Sequence, residues 1–178
     1  MNYFDLAVQT GLRPSEQVAL KWQAINGEYI YIGLSRVRNL EKTELKNEYS
    51  RRDIELRPAM RHVLDKQREQ VKDYDSPYVF ITPKGTPIIQ DRLREQWAKA
   101  MKASGLPYRR MYETRHTFAS WALGAGELPG WVARTLGHAD TSMVYRHYAR
   151  HIKNLTRQDG SAFEKLYIEM TREGGDEI

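Results

Sequence analysis

The 178-residue chain is 40% apolar and 29% charged, enough for one domain with a sizeable core. It has no cysteine, which excludes disulfides and thiolate metal sites, and no apolar run near the ~20 residues of a membrane span, so a soluble cytoplasmic protein is expected. The net charge of +5 (pI about 9.4) is uneven: Asp159, Glu164, Glu169, Glu173, Asp176 and Glu177 face only Lys165 and Arg172, leaving residues 1–158 at +9. A body this basic suits a phosphate-built partner, and equally a merely soluble basic protein.

Asn2 to Gln9 reads as a helix, apolar at Tyr3, Phe4, Leu6, Ala7 and Val8 and stopped by Thr10-Gly11. A second helix opens on Pro14, whose missing N–H costs nothing in a first turn, and runs through Leu20. Within TGLRPSE, Arg13 and Glu16 stand three apart, so the carboxylate can reach back and hold the guanidinium at the helix start. A surface salt bridge is the commoner fate of such a pair. Gly11 favours the first reading by letting the backbone turn tightly and aim Arg13 inward. Opening directly on an apolar helix suggests that Met1 begins a fragment of a longer protein.

After Asn26-Gly27, β-rich runs at Tyr29 to Leu34, Thr43 to Lys46 and Arg51 to Leu56 predict a small three-stranded antiparallel sheet. Lys46 to Arg52 form a charged hairpin. Most lysines there are solvated, but on a hairpin leaning over a cleft Lys46 becomes an ammonium able to protonate a departing alkoxide. Pro58 opens a helix to about Val71. A longer amphipathic helix from Ile89 to Ala103 follows, with Leu93, Trp97, Ala100 and Met101 as its buried stripe and Gly105 just past its end. No internal repeat appears. The fold class expected is α+β, mostly α-helical with that small sheet.

In YRRMYETRHTFASWAL (Tyr108 to Leu123), Glu113 to Leu123 reads as a helix with Phe118, Ala119, Ala122 and Leu123 on its apolar face. Arg115 and His116 lie near its positive N-terminal end, where an anion is favoured. Arg115 also reads as a surface charge near the cap. His116 reads better as a half-buried residue satisfying backbone carbonyls, and Tyr112 as an anion ligand or a packing group. Trp131 to Leu136 is a short helix.

The stretch LGHADTSMVYRHYARH, Leu136 to His151, then sets His138 after a glycine and a tyrosine-bearing helix after a polar turn. A phenol with a pKa of about 10 is a poor nucleophile and needs activation. His138, Arg146 and Arg150, with Arg13 and Arg115 from earlier, predict an arginine-lined anion site facing Tyr148 or Tyr145. His147 and His151 have the spacing of a metal pair, but no Glu follows His147 and no third ligand is evident by spacing, so no metal is expected.

Arg13 in TGLRPSE, Lys46 before the SRR strand, Arg115 in YETRHTFAS, and LGH followed by a tyrosine resemble the catalytic boxes of tyrosine recombinases, the phage-integrase family. The resemblance covers about residues 1 to 155, with all four boxes in order. It implies an integrase catalytic domain over residues 1–158 and an acidic tail with a short helix over 159–178. It also implies N-terminal DNA-binding domains outside this chain. The implied activity is strand exchange through a covalent 3′-phosphotyrosine, with no metal or other cofactor. Arg13 and Arg115 would clamp the phosphate, supported by Glu16, Tyr112 and His116. Lys46 would be the general acid, His138 would assist, and Tyr148 would attack. The implied partners are double-stranded DNA attachment sites, a homotetramer on synapsed DNA formed from monomeric domains, and accessory DNA-bending or excision factors, all in the cytoplasm at the nucleoid.

Two positions depart from the family pattern. Tyr112 stands where many members have histidine, and Tyr148 is the tenth residue after His138 where the ninth is commonest; the ninth here is His147. Tyr145 is the alternative nucleophile. A type IB topoisomerase-like enzyme shares the chemistry without a four-protein synapse, and a DNA-binding module would have no need of a nucleophile. In the tail, Phe163, Leu166, Tyr167 and Met170 recur at helical spacing. That stripe predicts docking over the basic face of its own chain or on a neighbouring protomer, or else a frayed end.

Overall fold

A computed structural model of the chain describes residues 2–38, 40–43, 48–152 and 160–173. Helix α1 (Asn2–Thr10) turns Tyr3, Leu6 and Ala7 inward. Thr10 donates its hydroxyl to the Leu6 carbonyl (2.7 Å), and Gly11, at φ +64°, ends the helix in a left-handed conformation that favours glycine. Helix α2 is shorter than expected, covering only Pro14–Gln17. Beyond it the chain is drawn into extended pairing: Val79 N–H donates to the Leu20 carbonyl and Trp22 N–H to the Pro77 carbonyl, both at 2.9 Å. Backbone groups satisfied in this way have no reason to continue the helix.

Among the described residues five short strands follow: β1 (Ile25–Asn26), β2 (Tyr29–Ile32), β3 (Ser35–Val37), β4 (Leu40–Lys42) and β5 (Arg52–Glu55). The three-stranded antiparallel sheet is present, in the order β1-β2-β5, but its membership differs from the expected one. Both edges of β2 are taken, by β1 and β5. Thr43 follows β4, which pairs with β3 in a separate ribbon, and residues 44–47 lie outside the described residues. Period-two alternation turns Ile30, Ile32 and Ile54 inward, with Ile30 opposite Ile54, while Tyr29 and Tyr31 face out.

The remaining helices are α3 (Pro58–Val71), α4 (Gln90–Ala103), α5 (Glu113–Ala125), α6 (Pro129–Leu136), α7 (Ser142–Tyr148) and α8 (Ser161–Glu173). On α4, Leu93 and Met101 are buried and Trp97 partly so, but Ala100 is exposed. Helix α5 runs two residues past Leu123, until Gly126 at φ +106° caps it. Among the described residues no helix is long and apolar enough to cross a membrane.

Two apolar clusters form the core. The first joins α1, the sheet and α3 around Leu6, Ile30, Met60 and Val79; the second joins α5, α6 and α7 around Phe118, Leu123, Leu136 and Val144. They meet at Gly11, where a Cβ would lie 2.6 Å from Phe118 Cδ1 and 2.7 Å from Leu136 Cδ2. Only a residue without a side chain lets the α1–α2 turn approach this closely, and the candidate site lies along that seam.

Candidate active site

Glu16 is the buried anchor of the site. Its Oε1 accepts from Arg13 Nη1 (2.6 Å) and its Oε2 from the Arg13 backbone N–H (2.9 Å), so the carboxylate does reach back to the helix start. It also accepts from both terminal nitrogens of Arg52, at 3.0 and 3.3 Å. Burial alone would raise the Glu16 carboxyl; the charge and hydrogen bonds of Arg52, joined by Arg13, outweigh it and hold the group below the usual carboxylate value. Arg52 further donates Nε to the Thr135 carbonyl (2.6 Å) and Nη1 to the Ser50 carbonyl (2.8 Å), tying β5 to the end of α6. Sequence reasoning missed this residue. The signal was there: period two places Arg52 on the same inward face as Ile54 and Leu56, where an arginine needs a buried partner.

Arg115, in the first turn of α5, is only 2% exposed. It is not a surface charge near the cap. Its Nη1 donates to the Gly11 carbonyl (2.7 Å) and its Nη2 to the Leu136 carbonyl (2.5 Å), so one guanidinium grips both sides of the seam. Burial, then the nearby charge of Arg13, lowers its pKa to about 10, which leaves it charged at neutral pH. His138 follows Gly137, whose φ of +69° ends α6. The histidine Nε2 lies 3.3 Å from Arg115 Nη2. A guanidinium cannot accept, so Nε2 is the acceptor and the ring proton sits on Nδ1, which is buried without a partner among the described residues. Burial, Arg115, Arg13, Arg52 and His147 lower the His138 pKa to about 4, so the ring is neutral at pH 7.

Val144 and Tyr148 form the inward stripe of α7, at i and i+4, whereas Tyr145 is 44% exposed. The Tyr148 hydroxyl lies 2.6 Å from Nδ1 of His116. His116 therefore pairs with the phenol, where a role satisfying backbone carbonyls was expected. Tyr112 stacks edge-on against the His116 ring, with centroids 5.4 Å apart. Burial raises the Tyr148 pKa above its ordinary value, Arg115 opposes this, and Tyr112 and Glu113 add to it. The structure thus brings together Arg13, Glu16, Tyr112, Arg115, His116, His138 and Tyr148. Lys46 lies outside the described residues. Among the described residues no group of three or more His, Asp or Glu converges, and His151 Nε2 accepts from Arg150 Nε at 3.0 Å. A cleft of about 680 Å³ opens beside the site between β5 and α6, lined by Tyr49, Arg51, Arg52, Trp131, Arg134 and His138.

The sequence profile of the Phage integrase family matches residues 1–154. The chain is 29% identical over 177 residues to the defective protein IntQ of Escherichia coli K12, covering 84% of this chain and 44% of that protein. It is 27% identical over 189 residues to a XerC-like tyrosine recombinase of Caldanaerobacter subterraneus, covering 92% and 48%. The chain therefore spans less than half the length of these curated relatives. Among solved structures, the Tn1549 transposon integrase in complex with circular intermediate DNA shares the fold, with a TM-score of 0.78, 19% identity and coverage of 93% of this chain and 59% of that one. The lambda integrase tetramer bound to a Holliday junction gives 0.63 and 20%, covering 88% and 43%. A profile match through Tyr148 and an integrase fold whose seam gathers the expected arginines, histidine and tyrosine lead to one assignment: the chain belongs to the phage integrase family.

Proposed function

We propose that this chain is the catalytic domain of a site-specific DNA recombinase that cleaves and rejoins strands through a covalent 3′-phosphotyrosine. The observation that carries this reading is the meeting of two arginines from distant elements beside a tyrosine hydroxyl. Arg115 is held by the carbonyl of Gly11, two residues before Arg13, and Tyr148 lies hydrogen-bonded to the residue after Arg115. Tyr148 attacks phosphorus, and the bond to the 5′-oxygen breaks. Arg13 and Arg115 offset the charge that builds on the non-bridging oxygens, and both are already held in place, Arg13 by Glu16 and Arg115 by the Gly11 and Leu136 carbonyls. Neutral His138 contributes a hydrogen bond there. Lys46 supplies the proton that the 5′-oxygen takes.

The energy of the broken phosphodiester is kept in the tyrosine ester, so resealing needs no nucleotide. The substrate is a double-stranded attachment site, bound by domains preceding this one in a longer protein and synapsed by four copies. The DNA complexes of the Tn1549 and lambda integrases support that part of the reading. The test is a nicked suicide duplex carrying the site found in the DNA flanking the gene, with a covalent adduct sought on a denaturing gel. Tyr148→Phe should form none while binding the duplex normally. An adduct that persists in Tyr148→Phe and disappears in Tyr145→Phe would overturn the assignment.

A further inference from the structure

We propose that His116 is itself a catalytic residue: it takes the proton of Tyr148 as the phenol oxygen attacks, and returns it when the strand is resealed. This rests on Tyr148 being the nucleophile. The geometry that points to it is the 2.6 Å contact between His116 Nδ1 and the Tyr148 hydroxyl, within the reach required of a general base in the resting site. An un-ionised phenol needs such an acceptor, since at pH 7 only about one molecule in a thousand is ionised even at the ordinary pKa. Burial of Tyr148 makes the need greater.

None of the other groups near the hydroxyl takes this place. Arg115 has no lone pair to offer, His138 Nε2 already accepts from Arg115, Tyr112 is itself a phenol, and Glu113 acts on Tyr148 through its charge rather than through a hydrogen bond. The His116 ring is held for the task. Tyr112 packs against it edge-on at 5.4 Å and Tyr148 lies tilted at 5.6 Å, so the two rings fix its plane. Consecutive residues on α5 then serve the two reacting partners, Arg115 the phosphate and His116 the attacking oxygen. The balance closes. The Tyr148 oxygen–phosphorus bond forms, the phosphorus–5′-oxygen bond breaks, the phenol proton passes to His116 Nδ1, and the 5′-oxygen takes a proton from Lys46. Both protons go back on resealing.

The experiment compares single-turnover adduct formation by the wild-type protein, His116→Ala and His116→Asn on two nicked duplexes. One duplex carries the ordinary phosphodiester and the other a 5′-bridging sulfur, whose thiolate leaves without a proton. Asparagine places an amide oxygen near the Nδ1 position, so it keeps a hydrogen bond to Tyr148 but cannot take a proton. Both variants should bind the duplex as the wild type does, yet form adduct at least about 10²-fold more slowly, the usual range for general acid–base catalysis. The loss should be equal on both duplexes. His116→Asn at near wild-type rate would reduce His116 to a positioning residue, and a loss relieved by the sulfur substrate would place it on the leaving-group side; either overturns the proposal. If wild-type adduct forms through Tyr148 while the His116 variants react normally, only this inference fails. An adduct that does not depend on Tyr148 removes the proposed function itself.

Discussion

At the scale of single residues, Glu16 carries the greatest structural burden. It compensates Arg52, and with side chains only 2% and 4% exposed neither partner has water to fall back on. Glu16→Gln should therefore cost about 3 kcal/mol in urea unfolding, because it leaves a buried guanidinium without its counter-charge. The pH dependence has a definite sign. The folded carboxyl lies below the unfolded value near 4.5, so its contribution is present above that value and is lost as the pH falls through the folded one. In Glu16→Gln that acid-side loss should shrink. Arg115→Lys keeps the charge but cannot hold the Gly11 and Leu136 carbonyls together, and cleavage should fall at least ~10²-fold. Near-normal cleavage would put Arg115 outside the chemistry. His138 offers a spectroscopic check: its ring should titrate near pH 4 in the free protein. It should titrate higher once a DNA phosphate sits beside it, since an anion favours the protonated ring. A midpoint that stays put on DNA binding would separate His138 from the phosphate.

At the scale of elements, the α1–α2 turn decides whether the two clusters meet. Gly11→Ala adds a methyl group at a positive φ and within 2.7 Å of both Phe118 and Leu136. It should destabilise the fold by about 2 kcal/mol or more. It should also weaken cleavage without touching the phosphate, because the Gly11 carbonyl that steadies Arg115 must shift. Paired measurements of unfolding and adduct formation check this, and a stable, active Gly11→Ala would contradict the seam as described. Most elements were legible locally. The Pro14, Pro58 and Gly105 punctuation and the alternation of Ile30, Ile32 and Ile54 are signals that neighbours in sequence carry. The early end of α2 was not, since it follows from pairing with Tyr78, tens of residues away; β1 was missed although it pairs locally with β2, because two residues are too few to show an alternation.

At the scale of the whole molecule, a basic body carries an acidic end. Helix α8 leaves Phe163, Leu166, Tyr167 and Met170 between 53% and 73% exposed, so its apolar stripe is not laid over the basic face of its own chain. Non-specific DNA affinity should fall steeply with salt, as counterions released from the backbone lose their entropic advantage. Removing residues 159–178 takes away a net charge of −4 and should tighten that binding about severalfold at low salt. A filter-binding titration across salt concentrations measures both effects. Unchanged affinity would mean that the tail's charge is not felt at the DNA surface.

The sequence by itself determined the helix and strand periods, the turn glycines and the order of the boxes that led to Arg13, Arg115, His138 and Tyr148. The periods and turns are written in residues a few positions apart, where propensity and spacing act directly, whereas the boxes were read through their resemblance to a known family. Only the tertiary structure decided which groups share a proton or a charge. Arg115 holds a carbonyl 104 residues away, Arg52 serves Glu16 across 36, and His116 meets Tyr148 across 32. It also separated Tyr148 from Tyr145, which stand on one helix with the same chemistry and differ only in which faces the second core cluster. Such choices depend on how close two packed surfaces come. At Gly11 a single missing Cβ sets that distance.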